Sequence, residues 1–218
     1  MESLCQFPEN AIILNQPFLQ LKRDKAMQIK RHLELCATFT DTEKARSIAE
    51  RLKGRLYVDE RPSNAKRPFT AMVCVQTDDL SALIQAADVS VYLVARRQIK
   101  EHTDPEVRCA GAIGVFGMLK HPDLTHEASD AHWRDNHAPL ALEIHTAMSH
   151  YMQLSVLHCF KGTKLDGIAL CGFDSLEDLK ERFYNSKEGE RRIFNDISIF
   201  ADTKHSPRRV IVKETDFS

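Results

Sequence analysis

The sequence predicts an α+β fold in which two tandem ferredoxin-like βαββαβ units pack as one pseudo-dimeric α+β barrel. Three observations carry that expectation. The chain has 218 residues, long for one small domain and short for two independent ones. Its expected elements run β-α-β-β-α-β from residue 32 and then follow the same order again. Each such unit is an antiparallel sheet with helices on one face, so its other face stays uncovered until a second sheet packs against it. The repeat is one of element order, without residue-level identity between the halves. The expected organisation is an N-terminal arm over 1–31, a degenerate unit over 32–102 and a second unit over 108–218.

The arm holds Pro8 and Pro17, a short strand at 11–14 and a basic helix over 20–31. Residues 32–40 (HLELCATFT) alternate and are rich in strand formers. Asp41 or Thr42 caps the run TEKARSIAERLKG, with Gly54 expected at its C-cap. Ala45, Ile48, Ala49 and Leu52 form one buried stripe on that helix. A strand at 55–60, a turn in RPSNAKRP and an apolar strand at 69–77 follow. Asp78 and Asp79 open the next helix, and a strand at 89–99 closes the first set.

The second set opens with a strand at 111–120, in which Ile113, Val115 and Leu119 alternate with Phe116 and Met118. A helical region at 125–145 has Thr125 as N-cap and contains Pro139, which is expected to kink it or split it in two. Strands at 151–160 and 168–173 flank the turn KGTKLDG. Ser175 caps SLEDLKERFYNS, a second helical piece covers 188–200, and a strand at 209–215 completes the order.

Composition excludes several classes. With 30 Lys+Arg against 31 Asp+Glu, the chain lacks the basic excess of a nucleic-acid-binding protein. The longest apolar run, 109–119, is eleven residues with three glycines, too short to span a bilayer. No signal peptide is expected, and the anticipated location is the cytoplasm. The six cysteines are scattered without a C-x-x-C pair, the pattern of reduced structural thiols. Seven of ten histidines fall between 121 and 158, at successive gaps of 5, 6, 5, 8, 5 and 8. Ligand pairs on a helix want three or four residues between partners on one face, so no metal site is expected.

Residues 126–140 (HEASDAHWRDNHAPL) carry the chemistry. On a regular helix Asp130, Trp133, Arg134, His137 and Ala141 lie within about a quarter of the circumference, with His132 and Asn136 opposite and solvated. An apolar wall holding one imidazole suits a small hydrophobic ligand and one proton-transfer group. The same pattern also fits a core tryptophan and a histidine bonded to a backbone carbonyl.

These residues resemble the EthD-like family of the dimeric α+β barrel superfamily. The likeness covers roughly 111–217. It includes Leu119-Lys120, the signature Trp133-x-x-x-His137-Ala138-Pro139-Leu140, Tyr151-x-Gln153, and Asp166-Gly167-Ile168-Ala169. It continues through Phe173-Asp174-Ser175-Leu176-Glu177 and a tail at Asp196, Phe200 and Asp202. The family often has Asn-His after the strand Gln; here Leu154 and Ser155 stand there, with His150 and His158 as the nearest substitutes.

The resemblance implies a pocket between the long helix and the sheet of the second half. In it His137 would be the general acid/base and Asp130 or Arg134 would tune it. Trp133, Phe116, Tyr151, Gln153 and His158 would contact the ligand. The expectation is a cofactor-independent enzyme acting on an aromatic or apolar small molecule, of oxidoreductase, isomerase or dehydratase type. A non-catalytic ligand-binding or accessory protein is the alternative, and a haem-binding relative is a third reading without a second supporting feature. The first half, lacking the motif, would replace the second subunit of a family dimer, and further pairing into a homodimer stays open.

Overall fold

The computed structural model describes residues 30–61 and 66–218. The expected arm, its strand at 11–14, most of the basic helix and the middle of the RPSNAKRP turn lie outside them. Lys30 and Arg31, placed in that helix by sequence, instead begin strand β1 (Lys30–Phe39).

The first half continues with α1 (Thr42–Leu52), β2 (Arg55–Val58), β3 (Ala71–Val75), α2 (Leu80–Ala86) and β4 (Ser90–Lys100). A short helix, α3 (Pro105–Ala110), leads into β5 (Ala112–Met118). Asp104 caps α3 and Pro105 opens it, a start signal within the link between the two expected units. Then come α4 (His126–His132), a π-helical turn (Trp133–His137) and α5 (Ala138–Ile144). β6 (Met148–Lys161), β7 (Gly167–Phe173), α6 (Leu176–Glu181), α7 (Lys187–Phe200) and β8 (Val210–Asp216) complete the chain.

The eight strands close into one barrel in the order β1-β3-β2-β8-β5-β7-β6-β4, every neighbouring pair antiparallel. The first four strands lie adjacent as β4-β1-β3-β2 and the last four as β6-β7-β5-β8. Two seams join these halves edge to edge, β2 to β8 and β4 to β6, so no strand edge is left unpaired. Strand alternation then sorts the side chains. Cys36, Met72, Tyr92, Val94, Ile113, Val115, Leu154 and Leu170 fill the bore. Leu35, Ala37 and Phe39 point the other way, onto α1 and α2 with Ala45, Ile48, Ala49 and Leu83. No helix among the described residues is long and apolar enough to cross a membrane.

Two local expectations are corrected. Asp41 caps α1 as read, accepting from the Lys44 N–H at 3.0 Å. At the other end Lys53, not Gly54, takes the left-handed conformation, with φ 54°. Gly54 is needed for space: a Cβ there would stand 2.9 Å from the Cys74 carbonyl on β3. The helix beginning at Ser175 stops at Glu181 rather than running through 186, which frees Phe183 and Tyr184 to turn inward.

One end of the barrel is polar. Arg96 is buried 3.5 Å from Glu34, and Glu214 is buried 3.1 Å from Arg108. Burial pushes the Glu214 carboxyl above its ordinary value although Arg108, Arg55 and Arg96 pull it down. His150 lines a cavity at this end with Arg96 and Arg108. Its ring occupies the space over Gly172, where a Cβ would fall 1.9 Å from the imidazole Cε1. Gly172→Ala is therefore expected to destabilise the fold by about 1–3 kcal/mol through overpacking. The urea midpoint checks this, and an unchanged midpoint would show that the ring moves aside freely.

Candidate functional site

The helix carrying the motif is wider than an α-helix where the chemistry sits. Thr125 caps it, its Oγ1 accepting from the Ala128 N–H at 3.1 Å. At Trp133–His137 the bonding steps to five residues, and the Ala138 N–H reaches the Trp133 carbonyl. Pro139 is the sequence cause within reach: it has no N–H to offer the carbonyl of Asp135, so the regular ladder cannot continue through it. The Trp133 carbonyl also accepts from Gln153 Nε2 at 3.0 Å, tying the wide turn to β6.

This turn overturns the helical wheel. On a regular helix His132 and His137 would stand ~140° apart. With the extra residue both reach Asp196 on α7: His132 Nε2 lies 2.8 Å from Oδ1 and His137 Nδ1 lies 2.7 Å from Oδ2. His132 is thus half-buried rather than solvated, while Asn136 is exposed as expected. Phe200, one turn beyond Asp196, packs on both rings, with centroids at 5.3 and 5.1 Å. Burial works to raise the Asp196 carboxyl, but the hydrogen bonds from His137 and His132 hold it below the ordinary carboxylate range. An ionised carboxylate only accepts, so each imidazole presents an N–H to it. In the neutral ring this leaves His137 Nε2 with its lone pair.

His137 lines a cavity of about 310 Å³. The helix contributes Trp133, His137, Ala141 and His145; the strands contribute Phe116, Tyr151, Ala169 and Cys171. Phe183 and Tyr184 follow α6, Ile193, Ile197 and Phe200 come from α7, and Thr203, Ser206 and Pro207 from the loop after it. Most of this surface is aromatic or aliphatic. His145 Nδ1 is 2.6 Å from the Phe183 carbonyl, and burial pulls the ring down to about 4, so it stays neutral. Burial pushes the Cys171 thiol up to about 12, which leaves it protonated and a poor nucleophile. Tyr151 Oη receives Trp133 Nε1 at 3.2 Å and Gln153 Nε2 at 3.0 Å.

The expected site residues thus divide. His137, Trp133, Phe116 and Tyr151 come together around the cavity. Gln153 is fully buried behind it, bonded to Trp133 and Tyr151, and does not line it. Asp130 does not line it either; it pairs with Arg97 at 2.5 and 2.9 Å, and Arg97 lies over the Trp133 ring at 5.4 Å. Arg134 is held by Asp135 at 2.7 Å and stands 3.9 Å from Asp130, outside the cavity. The group hydrogen-bonded to His137 is Asp196, and neither Asp130 nor Arg134 is bonded to that ring. His158 is exposed on β6 against Phe160, opposite Leu93 of β4. Leu154 faces the bore and Ser155 faces Asp130. Neither His150 nor His158 reaches the cavity in place of the missing family histidine.

Three participants escaped the sequence reading. Asp196 was visible within the tail motif, but without a role. His132 was discounted by a regular wheel. His145 lies eight residues beyond His137 with Ala141 midway, an i, i+4, i+8 stripe that could have identified it. The histidine cluster itself is resolved one ring at a time: His126 lies on Asp166 at 3.2 Å, His121 Nδ1 accepts from the Asp123 N–H at 3.3 Å, and the others are as described. Among the described residues no group of three or more His, Cys, Asp or Glu is placed to hold a metal.

Residues 121–204 match the EthD domain family. That span contains Trp133, His137, Tyr151, Gln153 and Asp196. No curated protein matches the sequence. One solved structure, described as a crystal structure study of an anthrone oxidase-like protein, is 11% identical with a TM-score of 0.49, over 86% of this chain and 93% of that one.

Proposed function

We propose that the EthD-matched half of the chain, taken as residues 108–218, is a small-molecule enzyme that moves a proton on an aromatic or apolar substrate. His137 is its general acid/base. The observation that carries this reading is His137 itself: its Nδ1 is held by Asp196 at 2.7 Å while its side chain lines a cavity that is mostly aromatic and aliphatic. A carboxylate behind an imidazole sets its tautomer and stabilises the imidazolium that forms when Nε2 takes a proton. Oxidation, isomerisation and dehydration can each begin with such a transfer.

In this reading the two βαββαβ runs are two ferredoxin-like units of one cytoplasmic pseudo-dimer, and residues 32–102 serve as the structural partner. The space under α1 and α2 supports that division, since it is filled by Phe39, Ala45, Ile48, Ala49 and Leu83. A second reading, ligand binding without turnover, is favoured by Leu154 and Ser155, which supply no second imidazole.

One experiment separates the two. Wild type and His137→Ala are incubated with a panel of apolar aromatic compounds, conversion being followed by mass spectrometry. Quenching of Trp133, the chain's only tryptophan, reports binding. Conversion by wild type alone, with binding by both, is the expected result. Binding without conversion by either protein supports the second reading, and absence of binding removes both.

A further inference from the structure

The polar end of the barrel holds a cavity of about 250 Å³, separate from the one beside the π-helical turn. Arg55 of β2, Arg96 of β4, Arg108 of α3 and His150 of β6 stand in its wall. Glu101 is the one acidic residue of that wall. The other carboxylates stand behind the guanidinium groups. Glu34 lies 3.5 Å from Arg96 and Glu214 3.1 Å from Arg108, while Asp216 lies 3.0 Å from Arg108 and 3.2 Å from Arg55. The cavity therefore meets mainly the donor side of these pairs.

Donors at this end lack acceptors. Among the described residues nine buried side-chain N and O atoms have no hydrogen-bond partner, and six of them are here: Glu34 Oε1, Tyr57 Oη, Arg108 Nε, His150 Nε2 and both Glu214 oxygens. Leaving such atoms unpaired is costly, and a concentration of them marks a place where something polar binds. Two of the six belong to the cavity wall, Arg108 Nε and His150 Nε2. His150 is 1% exposed and its Nδ1 is taken by Ser149 Oγ at 3.1 Å, so Nε2 is the nitrogen left for a ligand. Arg96 is equally buried, and its Nη2 has only the Met152 thioether, a weak acceptor.

We infer that this cavity is a second ligand site, for the carboxylate or phosphate group of a small molecule, in which Arg55, Arg96 and Arg108 hold the anion and protonated His150 donates Nε2–H to it. Charge balance ties the proton to the anion. The three guanidinium groups already face three carboxylates, Glu34, Glu214 and Asp216. A proton on His150 adds a positive charge that an arriving anion offsets, so the two enter together. With the cavity vacant, burial and the charges of Arg108 and Arg96 keep the ring neutral, against the pull of Asp174. The other imidazoles are engaged. His102 Nε2 lies 2.9 Å from Asp174 and its Nδ1 accepts from the Asp104 N–H, while His32 lies 3.4 Å from Glu34. Glu214, its carboxyl raised by burial, is the rival proton acceptor. The inference holds whether or not the other cavity is catalytic.

The test is calorimetric titration of the full chain with sodium sulfate, a tetrahedral stand-in for phosphate, and with sodium oxalate, a carboxylate. Sodium chloride at equal ionic strength is the control. Both probes keep their charge at pH 6 and 7, so a change in affinity reports the protein's own proton. Binding should tighten by up to about 10-fold from pH 7 to pH 6, the limit for one linked proton. By NMR, the His150 ring should titrate at higher pH with the probe than with chloride. Arg55→Gln should weaken binding about 10-fold or more, the range for a hydrogen bond between charged groups. Binding of sulfate alone assigns a phosphate-like group and of oxalate alone a carboxylate; either supports the site. Absence of saturable binding by both probes overturns it, as does undiminished binding by Arg55→Gln. A pH dependence with His150 unmoved transfers the proton to another group and overturns its role. Should the variant not fold, the wild-type His150 titration decides: identical curves in probe and chloride refute the site.

Discussion

His137→Ala is expected to lower the rate of conversion of the panel compound that the wild type turns over by about 10²–10⁴-fold, the usual contribution of a positioned acid/base. Binding, followed through Trp133, should survive, because the walls of the cavity are built mainly from other residues. Asp196→Asn probes the mechanism more finely. An amide offers one acceptor and one donor where the carboxylate offered two acceptors, so one of the two imidazoles must turn over its tautomer. If that ring is His137, Nε2 acquires the hydrogen and no longer acts as a base. The expected loss approaches that of His137→Ala. His132→Ala, which removes the other ring and leaves the carboxylate with His137, should cost far less. Equal losses for His132→Ala and His137→Ala would show that the pair acts as a unit and would refute the assignment to His137 alone.

Acid should destabilise the fold well above the pH at which its carboxylates titrate. Burial pulls His145 and His150 down to about 4, from an ordinary value of about 6.5. A ring whose folded value is depressed binds its proton more readily in the unfolded chain. Its contribution is therefore complete above about 6.5, declines as pH falls below that, and is gone at about 4. Each ring should cost on the order of 3 kcal/mol across that window. The carboxylates held low by their partners, Asp196 and Asp216 among them, lose their contribution only near and below the unfolded carboxylate value, about 4. Urea unfolding at pH 6.5, 5.5 and 4.5, with NMR titration of both rings, checks the expectation. A flat profile down to 4.5 would show that both rings become charged without penalty.

The elements were legible in the chain because their signals are local. Asp41, Asp79, Thr125 and Ser175 each cap the helix they were expected to cap. Alternating apolar residues marked the strands, and closure of eight of them followed from the need to cover two open sheet faces. The site was legible only in part. Trp133, His137, Phe116 and Tyr151 meet at the cavity because strand and helix periodicity carries them there. Asp130 and Arg134 are His137's neighbours on a regular wheel, but Asp130 pairs with Arg97 and Arg134 with Asp135, both outside the cavity lining. His158 is near Gln153 along the strand, but it is exposed and does not line the cavity.

The awkward length of this protein, its two runs of β-α-β-β-α-β and the Trp133-x-x-x-His137 motif are properties of the chain alone. They determine which segments become helix or strand and which helix faces a sheet. What the tertiary structure decided is which groups touch. Asp196 lies 59 residues from His137 and comes to it only when α7 packs beside the π-helical turn. Trp133 Nε1 donates to Tyr151 Oη, 18 residues away, at 3.2 Å only because the helix packs against β6. A hydrogen bond depends on distance and direction to within a few tenths of an ångström. Such geometry between distant segments is created by packing, and no pattern along the chain carries it in advance.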